Sequence, residues 1–249
     1  MGIITGNFEY NLVGRLTSTT SVRTLLRNVG SSLSLSYQNF STPIQLGVNS
    51  TSANDVYLGA NGAWSVLITG IVFRNGTHQF YDEVVNLNGT ANVLTVATDW
   101  VRVFNARIFQ ASAGQNTAIA NSTPQGTVSV KNAANTLTFI GIQPFYGSSQ
   151  AALFTTASGR QAILKTLHIA TNTTQPTLYE LRMRTFTNVS PNSYNESFQC
   201  VWQGMTGNSA GVSAELNLNI PPLTDIEVSV QSLGGASTLS MLSANIEVY

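Results

Sequence analysis

The chain reads as an all-β protein: two tandem antiparallel β-sandwiches of jelly-roll type, preceded by an N-terminal arm. Three observations predict this. Apolar residues recur with a period of two, Asn-Gly pairs and prolines separate the periodic runs, and branched Val, Ile and Thr are abundant. Tyr179, Leu181 and Met183 alternate with Glu180, Arg182 and Arg184. Leu216, Leu218 and Ile220 alternate with Glu215, Asn217 and Asn219, and Ile226, Val228 and Val230 with Asp225, Glu227 and Ser229. Leu33, Leu35 and Tyr37 alternate with serines in the same way. Such runs fit strands with one buried and one wet face.

The turn signals fall between these runs. Asn61-Gly62, Asn75-Gly76 and Asn88-Gly89 tolerate positive φ and favour hairpins. Pro124, Pro144, Pro176, Pro191 and Pro221-Pro222 also lie between candidate strands, where a missing N–H breaks no ladder. One segment departs from the pattern. Val22, Leu25, Leu26 and Val29 follow a helical stripe, so a short helix and an extended arm are both open there. Residues 1–48 read as the arm or lead-in strand, 49–139 as the first sandwich and 140–249 as the second. As an arm, the first 30 residues are expected to be removable without unfolding the sandwiches.

Charge is scarce. There are 11 Lys+Arg and 11 Asp+Glu in 249 residues, 9% charged, against roughly 25% in an average soluble domain. Only Lys131 and Lys165 are lysines; nine cations are arginines. In their place stand 26 Ser, 29 Thr and 24 Asn. Zero net charge gives no electrostatic footprint for nucleic acid, and no apolar run is long enough to span a membrane. The first residues show no secretory signal, and Gly6 occupies the position where myristoylation needs Ser or Thr. A lone Cys200 allows no intrachain disulfide, and its setting in Phe198–Trp202 predicts a buried, inert thiol.

No catalytic or cofactor motif stands up. Gly207-Asn208-Ser209-Ala210-Gly211 fits G-x-S-x-G, but a strand pattern and no histidine follow, so it reads as a polar turn. His78 and His168 are the only histidines and sit in no metal-ligand spacing. Asp82 and Glu83 point to opposite faces of a strand; Asp225 and Glu227 share a face expected to be solvated. No dense acidic loop supports calcium. Eight N-x-[ST] sequons, at Asn39, Asn49, Asn75, Asn88, Asn121, Asn172, Asn188 and Asn195, only slightly exceed chance. The expectation is therefore no enzyme activity and no cofactor.

A soluble monomer ordinarily carries a charged coat. A near-neutral surface of short polar side chains suits copies packed side by side, as in lattices, fibres or coats. Arginine and aromatics over lysine fit an interface, and Arg15, Arg23 and Arg27 are the residues expected to dock a partner. Trp64, Trp100 and Trp202 are expected in the core.

Short motifs carry a resemblance. Trp64-Ser-Val-Leu-Ile-Thr-Gly-Ile leads to Gln79-Phe-Tyr-Asp-Glu-Val-Val-Asn-Leu-Asn-Gly-Thr and then Trp100-Val-Arg-Val-Phe-Asn-Ala-Arg-Ile-Phe. Thr166–Thr171, Tyr179–Phe186 and Pro221–Val228 follow. Over roughly residues 54–249 this resembles an uncharacterised virion structural protein family of marine phages and algal viruses. Ala157-Ser158-Gly159-Arg160 stands where that family often has Pro-Ala-Gly-Lys. The resemblance implies a virion location and a capsid-associated minor, cement or decoration role, and carries over no catalytic residue. The assembly expected from composition and this location together is a homo-oligomer, such as a trimer, contacting a major capsid protein, with no nucleic acid and no membrane as partner. The alternative is a tail or fibre component binding host surface glycan.

Overall fold

The computed structural model describes residues 2–19, 24–28, 42–112, 123–172, 174–186, 198–207, 211–234 and 238–249. Among them no helix occurs, and all strand pairing is antiparallel. The strands run β1 (Phe8–Thr19), β2 (Thr24–Leu25), β3 (Arg27–Asn28), β4 (Leu46–Ser50), β5 (Ala63–Arg74), β6 (Thr77–Asn86), β7 (Val93–Leu94), β8 (Trp100–Ala111), β9 (Val128–Asn132) and β10 (Thr138–Ile142). They continue as β11 (Gln150–Ala151), β12 (Leu153–Thr155), β13 (Ala162–Thr171), β14 (Thr177–Thr185), β15 (Gln199–Thr206), β16 (Gly211–Ile220), β17 (Thr224–Ser232) and β18 (Thr238–Val248). The chain divides into two compact units: Met1–Ile4 with Val29–Ser149, and Thr5–Asn28 with Gln150–Tyr249.

The first unit holds a three-stranded sheet, β6-β5-β8, and a four-stranded sheet, β10-β9-β4-β7. Asn75 and Gly76 join β5 to β6 with φ of 54° and 76°, the two left-handed positions a tight hairpin needs. Trp100, Phe80, Phe104, Ile68 and Ile71 fill the core. Phe80 and Phe104 meet edge to face at 6.3 Å.

A buried carboxylate ties this unit's loops together. Asp55 is fully enclosed. Its Oδ1 accepts hydrogen bonds from the Ala63 and Gln125 backbone N–H groups, each at 2.9 Å. Its Oδ2 accepts from Gly126 N–H at 2.9 Å and from the Ser50 hydroxyl at 2.5 Å. Gly62, at φ 82°, must be glycine here, since a Cβ would lie 2.5 Å from Asp55 Oδ1. Four donors from three distant segments thus converge on one side chain. Asp55→Ala leaves them buried without an acceptor, and is expected to lower stability by at least about 3 kcal/mol in equilibrium denaturation.

In the second unit, β1-β18-β13-β16 forms one sheet and β12-β17-β14-β15 another, with β2 beside β17 and β11 beside β3. The two large sheets meet through apolar faces. Tyr10 stacks on Phe154 at 5.0 Å, and Tyr179 donates its hydroxyl to the Ala170 carbonyl at 2.5 Å. Leu12, Leu167, Leu181, Val228 and Ile246 are buried beside them. Burial pushes the Tyr10 phenol far above its ordinary pKa.

Three expectations meet the structure here. The segment read as an arm or lead-in strand supplies the strand β1, whose Phe8–Leu16 stretch pairs in continuous register with Val248–Ser240. With Tyr10 and Leu12 in the core, it is part of the fold, and deleting it is expected to unfold the second unit by circular dichroism. The helical reading of 22–29 also fails for its described part, Thr24–Asn28, which is extended. Leu26 donates its N–H to the Val228 carbonyl and accepts from Ala152 N–H, at 2.8 and 2.9 Å. A helix this short is marginal alone, and neighbouring strands satisfy its backbone better. The boundary expected at 139/140 falls inside β10, held to β9 by the Ile140–Val130 pairing.

Candidate interaction surface

The register of the β1-β18-β13-β16 sheet sets out a row of residues Val13–Ser243–His168–Ser213 and a second row Arg15–Met241–Ala170–Gly211. Residues two apart on a strand share a face, so both rows lie on one side, opposite buried Leu12, Leu167 and Ala244. Small Ala170, Gly211 and Ser243 lower the floor, while Arg15, His168 and Met241 stand higher. The result is a groove of about 210 Å³ lined by Val13, Arg15, His168, Ala170, Met241 and Ser243, with Gln150 at its margin. His168 Nδ1 and the Ser213 hydroxyl lie 2.6 Å apart, which fixes the imidazole.

Of the three arginines expected to dock a partner, Arg15 lines this groove. Arg27 lies on β3, paired through its backbone with Ala151; its side chain and the whole of Arg23 lie outside the described residues. The sequence reading missed the groove, which arises from registers of strands far apart in the chain.

Two sheet edges of the same unit are open among the described residues. β16 pairs only with β13, and β15 only with β14. Edge strands normally carry lysine or proline that blocks further pairing. β15 (Gln199–Thr206) has no charged residue, β16 has only Glu215, and neither contains proline. Val201, Met205 and Val212 are exposed along them. Cys200, expected to be buried, is exposed on β15, because this strand lies at the sheet edge. Trp100 is buried as expected, whereas Trp64 and Trp202 are half-buried.

The first unit presents two apolar turn tips. Gln143–Tyr146 closes a turn with Tyr146 N–H donating to the Gln143 carbonyl at 3.1 Å, and Val56–Gly59 closes another at 2.9 Å. The third residue of each has positive φ: Phe145 at 68° and Leu58 at 60°. That slot belongs to Gly or Asn; a bulky side chain there costs about 1–2 kcal/mol. Phe145 is nevertheless 76% exposed and Leu58 68% exposed. Strand β8 brings these turns near one another. Arg107 and Ile108 bond to Ser148 and Gly147, while Gln110 and Ala111 pair with Ser65 and Ala63, just past the Leu58 turn. Three residues along a strand span about 10 Å. Phe109, also exposed, lies between.

The acidic residues are structural in their surroundings. Asp225 and Glu227, expected to be solvated, are buried. Arg184 reaches Asp225 at 3.3 Å and Arg182 reaches Glu227 at 3.1 Å, and Thr155 donates to Asp225 at 2.9 Å. Phe198 lies against both guanidinium groups, at 4.1 and 5.5 Å. Each carboxylate has its own arginine, which is the arrangement of a cross-strand ion-pair ladder. Glu83 accepts from Val96 and Ala97 N–H at 2.5 and 3.1 Å. His78 is buried against Phe73. Among the described residues no group of three His, Cys, Asp or Glu is placed to hold a metal ion. Residues 208–210 of the G-x-S-x-G match lie outside the described residues.

Asp82 differs from the other acids. Burial pushes its carboxyl above the ordinary aspartate range, against the opposing pull of the Thr69 hydroxyl and Arg107. A carboxyl raised in this way stabilises the fold while protonated. That contribution is complete below the ordinary aspartate value near 4 and is lost as pH rises through the raised one. Asp82→Asn is expected to raise the thermal midpoint at pH 7 and leave it unchanged at pH 3.

No protein-family model and no curated protein matches this sequence. Among solved structures, the chain is similar to one of the infectious bursal disease virus Gt strain, with 10% identity, 97% of this chain and 72% of that chain covered, and a TM-score of 0.29. T=1 particles derived from infectious bursal virus give 10% identity, 97% and 69% coverage, and 0.26. The insecticidal delta-endotoxin Cry8Ea1 from Bacillus thuringiensis gives 11%, 99% and 54%, and 0.23. TM-scores this low leave function to the chain's own residues.

Proposed function

We propose that the chain is a non-enzymatic structural component of a virus particle, associated with the capsid as a minor, cement or decoration protein. Its two units are read as sandwiches of jelly-roll type, and it works by burying surface against copies of itself and a major capsid protein. The observation that carries this reading is the pair of open, nearly uncharged strand edges β15 and β16 on a chain with 22 charged residues in 249. Such edges on a freely diffusing protein invite indiscriminate pairing; in an ordered assembly they are covered. The resemblance of Trp64–Ile71, Gln79–Thr90 and Trp100–Phe109 to virion proteins supports the particle setting. Arg15 is read as a docking residue, where a guanidinium can stack and hydrogen-bond at an interface.

The test has two parts. Light scattering on the purified chain is expected to show a homo-oligomer at micromolar concentration. Cryo-EM of intact particles is expected to place it in the shell at high copy number. A low copy number at the tail, with binding of the isolated chain on a glycan array, would replace this reading with that of a host-glycan-binding fibre component.

A further inference from the structure

We propose that copies of this chain associate head to tail, with the Phe145 tip of one copy seated in the Arg15–His168–Met241 groove of the next. The inference deepens the assembly reading above and rests on it. Three observations carry it. The first is the tip itself. Pro144 fixes the entry to the turn, Phe145 occupies a left-handed position that favours glycine, and its ring stands in solvent. An aromatic side chain that is both strained and exposed is disfavoured on two counts in a lone molecule. Rigid presentation is useful against a shaped pocket, where pre-organisation lowers the entropy lost on binding. A fluid bilayer would gain nothing from it.

The second observation is the receiving site. The groove of about 210 Å³ is open, lined by Val13, Ala170 and the raised Met241, and mostly apolar. An apolar cavity of about 150 Å³ accepts a benzene ring, so a phenyl group fits with room for its backbone approach. The third is chemical match. The groove offers Arg15 and His168 at its walls, and the ring offers the π-face that a guanidinium favours. The segment 143–149 bears no charge, so nothing ionic must be desolvated as it docks. Of the two apolar tips, Phe145 is the one with an aromatic ring for that guanidinium. The contact joins two different surfaces, so each copy keeps one free tip and one free groove.

Two variants test this by analytical ultracentrifugation. Phe145→Gly removes the tip and suits the backbone. It is expected to weaken self-association at least tenfold with a thermal midpoint equal to or above that of the wild type. Met241→Glu places a charge on the exposed groove wall and is expected to weaken association equally, with unchanged circular dichroism. Mixed in equal amounts, the two variants retain one intact groove and one intact tip between them, so they are expected to form one-to-one heterodimers that grow no further. Wild-type association that persists in Phe145→Gly, or a mixture that stays monomeric, would overturn the head-to-tail contact and leave the assembly reading standing. A wild type that stays monomeric throughout would overturn both.

Discussion

Every strand in an antiparallel sheet carries two rows of backbone donors and acceptors, and each row needs a partner. With no helix among the described residues, nearly all backbone pairing in both units must come from strand ladders and loop contacts. That constraint explains why so small a piece as Thr24–Asn28 is extended. It completes the edge of β17 with its own N–H and C=O groups, and Ala152 uses what remains. It explains why β1 belongs to the sheet of the chain's last strand. It also explains where the fold stops. β15 and β16 are long enough to continue pairing, yet neither has a second neighbour among the described residues. The molecule's outward chemistry begins where the ladder ends.

The few ionised groups show the same economy. Among the described residues Asp55, Glu83, Arg102, Glu180, Asp225 and Glu227 are buried, although charged side chains seldom are in ordinary domains. Burial of a charge is tolerable when hydrogen bonds replace water. Asp55 achieves that with three backbone N–H groups and a hydroxyl, and Glu180 with Gln203 and Ser229. Asp225 and Glu227 rely on cross-strand arginines. Charge here locks loops and sheets in one arrangement, and few of the described charged side chains, Arg107 and Glu215 among them, are exposed. Buried ion pairs add little net stability over apolar replacements. Their contribution is to make wrong registers costly, since a slip of one residue would strand each carboxylate among apolar neighbours.

What the sequence revealed follows the range of each signal. Alternation at Tyr179–Arg184, Glu215–Ile220 and Asp225–Val230 is local, and β14, β16 and β17 lie there. The Asn75-Gly76 hairpin is local too. Alternation cannot tell whether the polar face of a strand is wet, so the buried ladder on β17 was invisible to it. The stripe at Val22–Val29 shows the opposite failure, since four apolar residues in eight match a helix by spacing alone. The Asp55 hub draws on Ser50, Ala63 and Gln125–Gly126, separations no short pattern spans. The Phe145 tip was legible only as a turn at Pro144. Pro144 presets the second position of a turn, and the contradiction with Phe145 arises because the turn formed puts its third position at positive φ.

Local contradictions persist only where something outside the local sequence rewards them. Phe145 and Leu58 have no such reward within their own turns, which close through the same backbone bonds with any residue that tolerates the angle. On the head-to-tail reading the reward comes from a surface that meets them. A surface on another copy has a geometric consequence, because a contact between unlike faces repeats at every step. It either closes into a ring or runs on as a filament, and the rotation per copy decides which. A chain with zero net charge can take either course without electrostatic repulsion building up along the array. Rigid turns fix that rotation more tightly than flexible ones. The strain at Phe145 would then do more than place an aromatic ring in a neighbour. It would set the angle at which the neighbour stands, and so decide between a closed shell contact and open-ended growth.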